Sequence, residues 1–157
     1  MWQAWLKCYD YLCEKRCRSL FGLRFKMNLQ KFPLSMGTFH VNCRLENHVD
    51  RHKVIEVPRL LVDTGSVYTW IPTSILEKLG VVREKKDLAF QMANGQTITR
   101  SVGFAIIRLR EHFTIDEVVF AEPGDLTLLG ARTLEGMSLA VDSRRKKLVA
   151  SGPLLAA

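Results

Sequence analysis

The sequence is short of several things, and each shortage excludes a class of protein. It has four cysteines in 157 residues, too few for a disulfide scaffold. Its apolar runs are only a handful of residues long, so none can span a bilayer as a helix. It lacks internal repeats and low-complexity tracts. The motifs H-E-x-x-H, G-x-S-x-G, G-x-x-x-x-G-K-[ST] and G-x-G-x-x-G are all absent, which removes the usual zinc-hydrolase, serine-hydrolase, P-loop and dinucleotide-binding readings. Neither a cofactor nor a metal site is therefore expected. What remains is ordinary globular material, 47% apolar and 25% charged.

The net charge of +7 is unevenly spread. Residues 1–35 carry seven Lys/Arg against two acids, whereas residues 36–157 carry sixteen against fourteen. The body therefore has no basic stripe to neutralise a row of phosphates, and no nucleic-acid partner is expected. Cysteine divides at the same place: Cys8, Cys13 and Cys17 precede residue 36 and only Cys43 follows it. Their C-x4-C-x3-C spacing fits no common zinc pattern. Asp10, Glu14, Lys15 and Arg16 interrupt what would have to be the apolar core of a signal peptide, so reducing cytoplasm is the expected compartment. Trp2, Trp5, Leu6, Tyr9, Leu12 and Cys13 recur at helical spacing. Residues 1–35 read as a basic leader, helical or non-native with translation starting at Met36. A dispensable leader is preferred over a membrane-surface anchor.

From Met36 the period becomes two. Phe39, Val41, Cys43 and Leu45 alternate with polar residues as a half-buried strand. Cys43 lies on the apolar face, which favours a core role over catalysis. Val54–Val57 is a strand, Pro58 marks an edge, bulge or break, and Leu60-Leu61-Val62 is a strand buried on both faces. Val67–Ile71 follows as a short strand whose side chains mostly pack in the core. Pro72-Thr73-Ser74 opens a brief helix with a Ser74/Glu77 capping box and a Gly80 stop. Leu88, Phe90 and Met92 lead to Asn94-Gly95, the signature of a type I′ hairpin turn. The return strand passes Ile98 toward Val102, and Phe104–Leu109 and Phe113–Phe120 are two more. Glu122-Pro123-Gly124-Asp125 is a turn, Leu126–Leu129 a short strand and Ala131–Glu135 a helical turn. Met137–Val141 and Leu148–Ala150 flank the polar loop 142–147. Many short strands with two brief helices predict an all-β barrel or sandwich.

One carboxylate stands out. Asp63 follows Leu61-Val62 at the end of a buried strand, where a charge is costly unless hydrogen-bonded or neutralised. Thr64, Gly65 and Ser66 supply two hydroxyls and close backbone approach, and Ser66 is within reach of the carboxylate. A D-T-G triplet alone arises by chance in on the order of a few per cent of chains this size, and an Asp at a turn often only caps its own backbone.

Three further features give the triplet its meaning. Leu60 to Ser66 resembles the active-site loop of retroviral-type aspartic proteases. Met92-Ala93-Asn94-Gly95-Gln96 is placed like their hairpin flap, and Leu128-Leu129-Gly130-Ala131-Arg132-Thr133-Leu134 has the form of their C-terminal apolar pair, glycine and helix. The order resembles the small prokaryotic members of clan AA, whose pattern begins with Met-Gly-Thr-Phe as at Met36–Phe39. The resemblance covers about residues 36–150 and leaves 151–157 as a tail. It implies a retropepsin-like closed β-barrel or sandwich with one lobe per chain. It also implies a homodimer that pairs Asp63 from two copies to hydrolyse a polypeptide substrate. By the same resemblance Thr64 braces the two loops, Gly65 faces substrate, Ala93, Asn94 and Gly95 close over it, and Leu129 and Gly130 support the site from below. The alternative is a non-catalytic dimerisation or peptide-binding module of the same fold.

Overall fold

The computed structural model describes residues 38–152. The basic leader expected over residues 1–35, its three cysteines and most of the C-terminal tail lie outside the described residues. Nine strands and two short helices follow in order: β1 (His40–Asn47), β2 (Val54–Val62), β3 (Thr69–Pro72), α1 (Thr73–Leu79), β4 (Lys85–Gln91), β5 (Thr97–Leu109), β6 (His112–Ala121), β7 (Leu128–Leu129), α2 (Ala131–Gly136), β8 (Leu139–Asp142) and β9 (Lys147–Ala150). The fold is all-β and retropepsin-like. Seven strands form one sheet in the order β1-β2-β7-β3-β6-β5-β4, and β1 pairs again with β5, so six strands return on themselves while β4 hangs from β5. The β8-β9 hairpin is a separate two-stranded sheet. Among the described residues no helix is long and apolar enough to cross a membrane.

The strand alternation sends one set of side chains inward. Cys43, Leu45, Val57, Leu60, Ile71, Leu76, Leu79, Ile107, Val118, Phe120 and Leu129 form the main core. Cys43 is 1% exposed, and burial, reinforced by the nearby Glu56 charge, pushes its thiol up to about 12. Such a sulfur packs as an apolar group and supplies no thiolate near neutral pH. A second cluster joins Trp70, Val102, Val119, Ala121 and Leu128 to Leu61, Tyr68, Phe90, Met92 and Ile98, and this one lies between β3 and the β4-β5 hairpin. Phe90 meets Tyr68 and Trp70 edge-on at centroid distances of 5.5 and 5.1 Å. Such pairs add about 0.5–1.5 kcal/mol each beyond area burial.

Several local expectations are corrected by longer-range structure. Val54–Val57 and Leu60–Val62 are one strand. Its register against β1 shifts where Pro58 and Arg59 oppose Asn42 alone, and Arg59 takes a φ of 55° as it donates its N–H to Asn42 Oδ1. Pro58 therefore sits at a bulge. Likewise β5 runs unbroken through Gly103 for 13 residues, where two strands were expected. That glycine is set by packing, because a Cβ there would run into the Val82 carbonyl. No capping box forms: α1 is capped by Pro72 without a side-chain bond, and Glu77 turns instead to Arg83. Gly80 closes the helix at φ 75° as expected. Asn47 is buried and donates to the Leu79 and Gly80 carbonyls while accepting from the Val49 and Asp50 amides. It ties the β1-β2 turn to the end of α1.

Three buried or nearly buried carboxylates staple the sheet. Burial alone would raise the Glu46 carboxyl, but hydrogen bonds from Arg108 and Arg51 outweigh it and hold it below the usual range. Glu117 is lowered chiefly by its bond to Lys85 and also, against burial, by Arg132. Asp125 is likewise raised by burial but lowered further by a bidentate pair with Arg100 at 2.7 and 3.0 Å. This last pair ties the hairpin strand β5 to the turn that leads into β7. A depressed folded pKa gives stability that is complete above the unfolded carboxylate value of about 4 and lost as pH falls through the folded value. Asp125→Asn should therefore lower the urea midpoint at neutral pH by an amount worth about 1–3 kcal/mol. The gap to the parent should narrow as the pH falls below the ordinary carboxylate value of about 4 and close once Asp125 is protonated in the folded state. Urea titrations at neutral pH and in acid check this.

Candidate active site

Strand β2 ends at Val62, and Asp63 leaves it with its backbone N–H donating to the Leu129 carbonyl at 3.0 Å. The loop that follows is stitched to the segment after β7. The Ala131 amide donates to the Ser66 carbonyl at 2.8 Å and the Arg132 amide to the Val67 carbonyl at 3.2 Å. This stitching follows from topology. β7 lies between β2, to which it is parallel, and β3, to which it is antiparallel, so the chain leaving β7 passes directly beneath the loop joining β2 to β3.

The Asp63 carboxylate is partly exposed, and Thr64 and Gly65 beside it are exposed. Oδ1 accepts the Gly65 amide at 2.9 Å, and the Ser66 amide approaches the Asp63 carbonyl at 3.4 Å. Ser66 corrects an expectation: its hydroxyl donates to the Tyr68 carbonyl at 3.0 Å and leaves the carboxylate alone. One carboxylate oxygen is thus fixed by backbone, and the other has no protein donor among the described residues. A Cβ at Gly65 would stand 3.2 Å from the very oxygen its amide binds, close enough to press on the carboxylate.

Gly130 is more tightly constrained. Its φ of −85° is ordinary, but a Cβ would stand 2.8 Å from the Val67 carbonyl oxygen and closer still to the Tyr68 carbonyl. The two loops touch backbone to backbone there, and only glycine permits it. The structure thus brings together Asp63, Thr64, Gly65, Ser66, Leu129 and Gly130.

Ala93, Asn94 and Gly95 form the tip of the β4-β5 hairpin, though not as a type I′ turn. Gly95 donates to the Met92 carbonyl and Met92 to the Gln96 carbonyl, both at 2.8 Å, and of the Asn-Gly pair only Gly95 has a positive φ, 83°. This is a three-residue loop, a tight turn followed by one left-handed glycine. Asn94 caps it by accepting the Gln96 amide at 3.0 Å and donating to the Gln96 side chain at 3.0 Å. The hairpin stem sits on the strand that follows the Asp63 loop, through Phe90 on Tyr68 and Trp70. Val67 is 55% exposed, so the expectation of core packing across Val67–Ile71 holds for Trp70 and Ile71 but not for Val67.

Sequence reading missed the polar group beneath the site. Thr69 and Thr133 are fully buried, and Asp116 and Glu117 are nearly so. Arg132, in the segment under the loop, pairs with Asp116 and Glu117 at 2.9 and 2.8 Å, and its guanidinium lies 5.2 Å from the Tyr68 ring centre. The available signal was the acid pair Asp116-Glu117 inside an otherwise apolar strand, since buried charges need partners. Among the described residues no group of three His, Cys, Asp or Glu side chains is arranged to hold a metal.

The two glycines predict different costs. Gly130→Ala must push two backbone segments apart and should destabilise by about 3 kcal/mol or more. Gly95→Ala meets nothing within 4 Å and suffers only the left-handed backbone. It should cost about 1–2 kcal/mol. Thermal or urea unfolding of the two variants checks the ranking.

A comparison with curated proteins finds no match. Residues 49–136, more than half of the chain, match the family model described as gag-polyprotein putative aspartyl protease, and the matched span includes the Asp63 loop, the hairpin and the Gly130 segment. The chain belongs to that family of retropepsin-like aspartyl proteases.

Proposed function

We propose that the protein is a homodimeric aspartic endopeptidase in which Asp63 of two copies forms one active site. The family supports a protease-type function in general. The observation that carries the finer reading is the state of the Asp63 loop. The chain offers one D-T-G loop, pinned rigidly from below, with one carboxylate oxygen unclaimed and with Thr64 and Gly65 exposed beside it. That is half of a two-carboxylate site. The nearest second candidate, Asp142-Ser143-Arg144, lacks the glycine and begins the β8-β9 hairpin turn, where Asp142 Oδ1 accepts the Arg145 amide. A two-fold axis is the commonest way to complete a half-site.

Two carboxylates held close together share one proton, because both cannot ionise easily. The ionised member takes a proton from a bound water as that water attacks the scissile carbonyl. The protonated member gives its proton to the carbonyl oxygen. The roles and the apparent pKa values belong to the pair. No covalent intermediate forms. Thr64 braces one loop against its symmetry mate, the Gly65 backbone lies along the substrate, and Ala93 to Gly95 close over an extended peptide and exclude water. The protease domain is residues 36–150, with 1–35 a separable leader, and the proposed compartment is the cytoplasm.

The depressed carboxyls of Glu46, Glu117 and Asp125 support activity in mild acid, since the staples stay ionised where a shared proton is readily held. The test is cleavage of a mixed peptide library from about pH 3 to about pH 8 by the full chain and by Asp63→Asn, with dimer mass measured in parallel. The expected outcome is acid-favoured cleavage by the parent and a loss of at least about a thousandfold in the variant, with both dimeric. If both are dimers and neither cleaves, the endopeptidase reading gives way to a non-catalytic dimerisation or peptide-binding module of the same fold.

A further inference from the structure

The buried polar group beneath the Asp63 loop has a definite direction. The Gly130 amide donates to Thr69 Oγ1 at 2.9 Å, Thr69 Oγ1 lies 2.6 Å from Thr133 Oγ1, and Thr133 Oγ1 donates to Asp116 Oδ2 at 2.7 Å. A hydroxyl has one proton, and a carboxylate paired with Arg132 only accepts. The Thr133 proton is therefore committed to Asp116, so Thr69 must be the donor in the central bond. The chain runs one way, from the Gly130 amide through two hydroxyls to a negative charge. Hydrogen bonds aligned in this sense polarise one another in a low-dielectric interior.

Asp116 is otherwise fully engaged. Its Oδ1 accepts the Glu117 amide at 2.8 Å and pairs with Arg132 Nη2 at 2.9 Å. It thus reaches the Asp63 loop from two sides. One arm passes through Thr133 and Thr69 to Gly130, which stands between the carbonyl that binds the Asp63 amide and the amide that binds the Ser66 carbonyl. The other passes through Arg132, whose guanidinium lies on Tyr68, five residues after Asp63. A carboxylate is a demanding way to satisfy one hydroxyl in a core, because its own burial must be offset by an arginine and a backbone amide. Orientation is what it adds: an amide or hydroxyl in its place could donate as well as accept and would leave the two threonine protons free to point either way.

We propose that Asp116 is a positioning residue for the Asp63 loop, acting through the Thr133–Thr69–Gly130 chain. Its charge fixes the sense of the chain, the chain fixes Gly130, and Gly130 fixes the backbone atoms on which Asp63 rests. Only the rate effect of this inference rests on the reading of Asp63 as catalytic.

The experiment compares the full chain with Thr133→Val, which keeps the shape but breaks the chain, Thr133→Ser, which keeps the hydroxyl, and Asp116→Asn. Backbone amide exchange is read at Asp63, Gly130 and Ala131, and kcat and KM are read on a cleaved peptide. Thr133→Val should speed exchange at these amides by about tenfold or more relative to amides of the β1-β5 pairing. It should also lower kcat by about tenfold with KM changed less than about twofold. Thr133→Ser should restore both, and Asp116→Asn should move both in the direction of the valine variant. Exchange that rises equally across the sheet, or a serine variant no better than valine, overturns the inference. Should Thr133→Val not fold, the same exchange comparison on Asp116→Asn decides. If the parent cleaves no peptide, the catalytic reading fails, and the exchange pattern still decides the positioning role.

Discussion

Everything near Asp63 depends on the backbone contact between two loops. β7 is only two residues long, yet it separates β2 from β3 and sends the chain beneath the loop that connects them. Three backbone hydrogen bonds, from Asp63 to Leu129, Ala131 to Ser66 and Arg132 to Val67, make that crossing a single rigid unit. Gly130 stands at the point of closest approach. A carboxylate at the end of a buried strand needs its surroundings fixed before it can be useful, because its charge is stabilised only by donors already in place. Here the donor in place is a main-chain amide, that of Gly65, which has no rotamer to lose.

Around that unit the protein distributes charge so that buried carboxylates meet guanidinium groups. Glu46 holds Arg51 and Arg108, Asp116 and Glu117 hold Arg132, and Asp125 holds Arg100. Among the described residues no buried side-chain nitrogen or oxygen lacks a partner. Apart from Glu46–Arg51, which are five residues apart, the pairs join segments at least 15 residues apart in sequence. Arg100–Asp125 links the strand carrying the hairpin tip to the turn before β7, and Lys85–Glu117 links the start of β4 to β6. The hairpin stem is thereby held at its base while the Ala93–Gly95 tip remains exposed.

What was legible in the sequence was local or compositional. Alternation located the strands, the glycine at 80 ended a helix, and Leu61-Val62-Asp63-Thr64-Gly65 announced a carboxylate in an unusual place. The misses have a common cause: a tertiary contact overrides a local preference. Ser74 and Glu77 have capping-box spacing, but Pro72 caps the helix and Arg83 takes Glu77. Asn94-Gly95 has type I′ chemistry, but the hairpin register inserts Ala93 and leaves only Gly95 left-handed. Ser66 is near enough to Asp63 to bond it, yet the loop's path gives its hydroxyl the Tyr68 carbonyl. The Asp116 chain was invisible because its members are separated by as many as 64 residues, and only the fold brings Thr69 to Thr133.

The central claim is that one active site needs Asp63 from two chains. Its most direct measurement is the activity of mixtures of parent and Asp63→Asn protein, refolded together at constant total concentration. If both carboxylates are required, activity follows the square of the parent fraction, so an equal mixture retains about a quarter of the parent rate. If each chain carries a complete site, activity falls in simple proportion and the equal mixture retains about half. The account predicts the first result, and the second would contradict it.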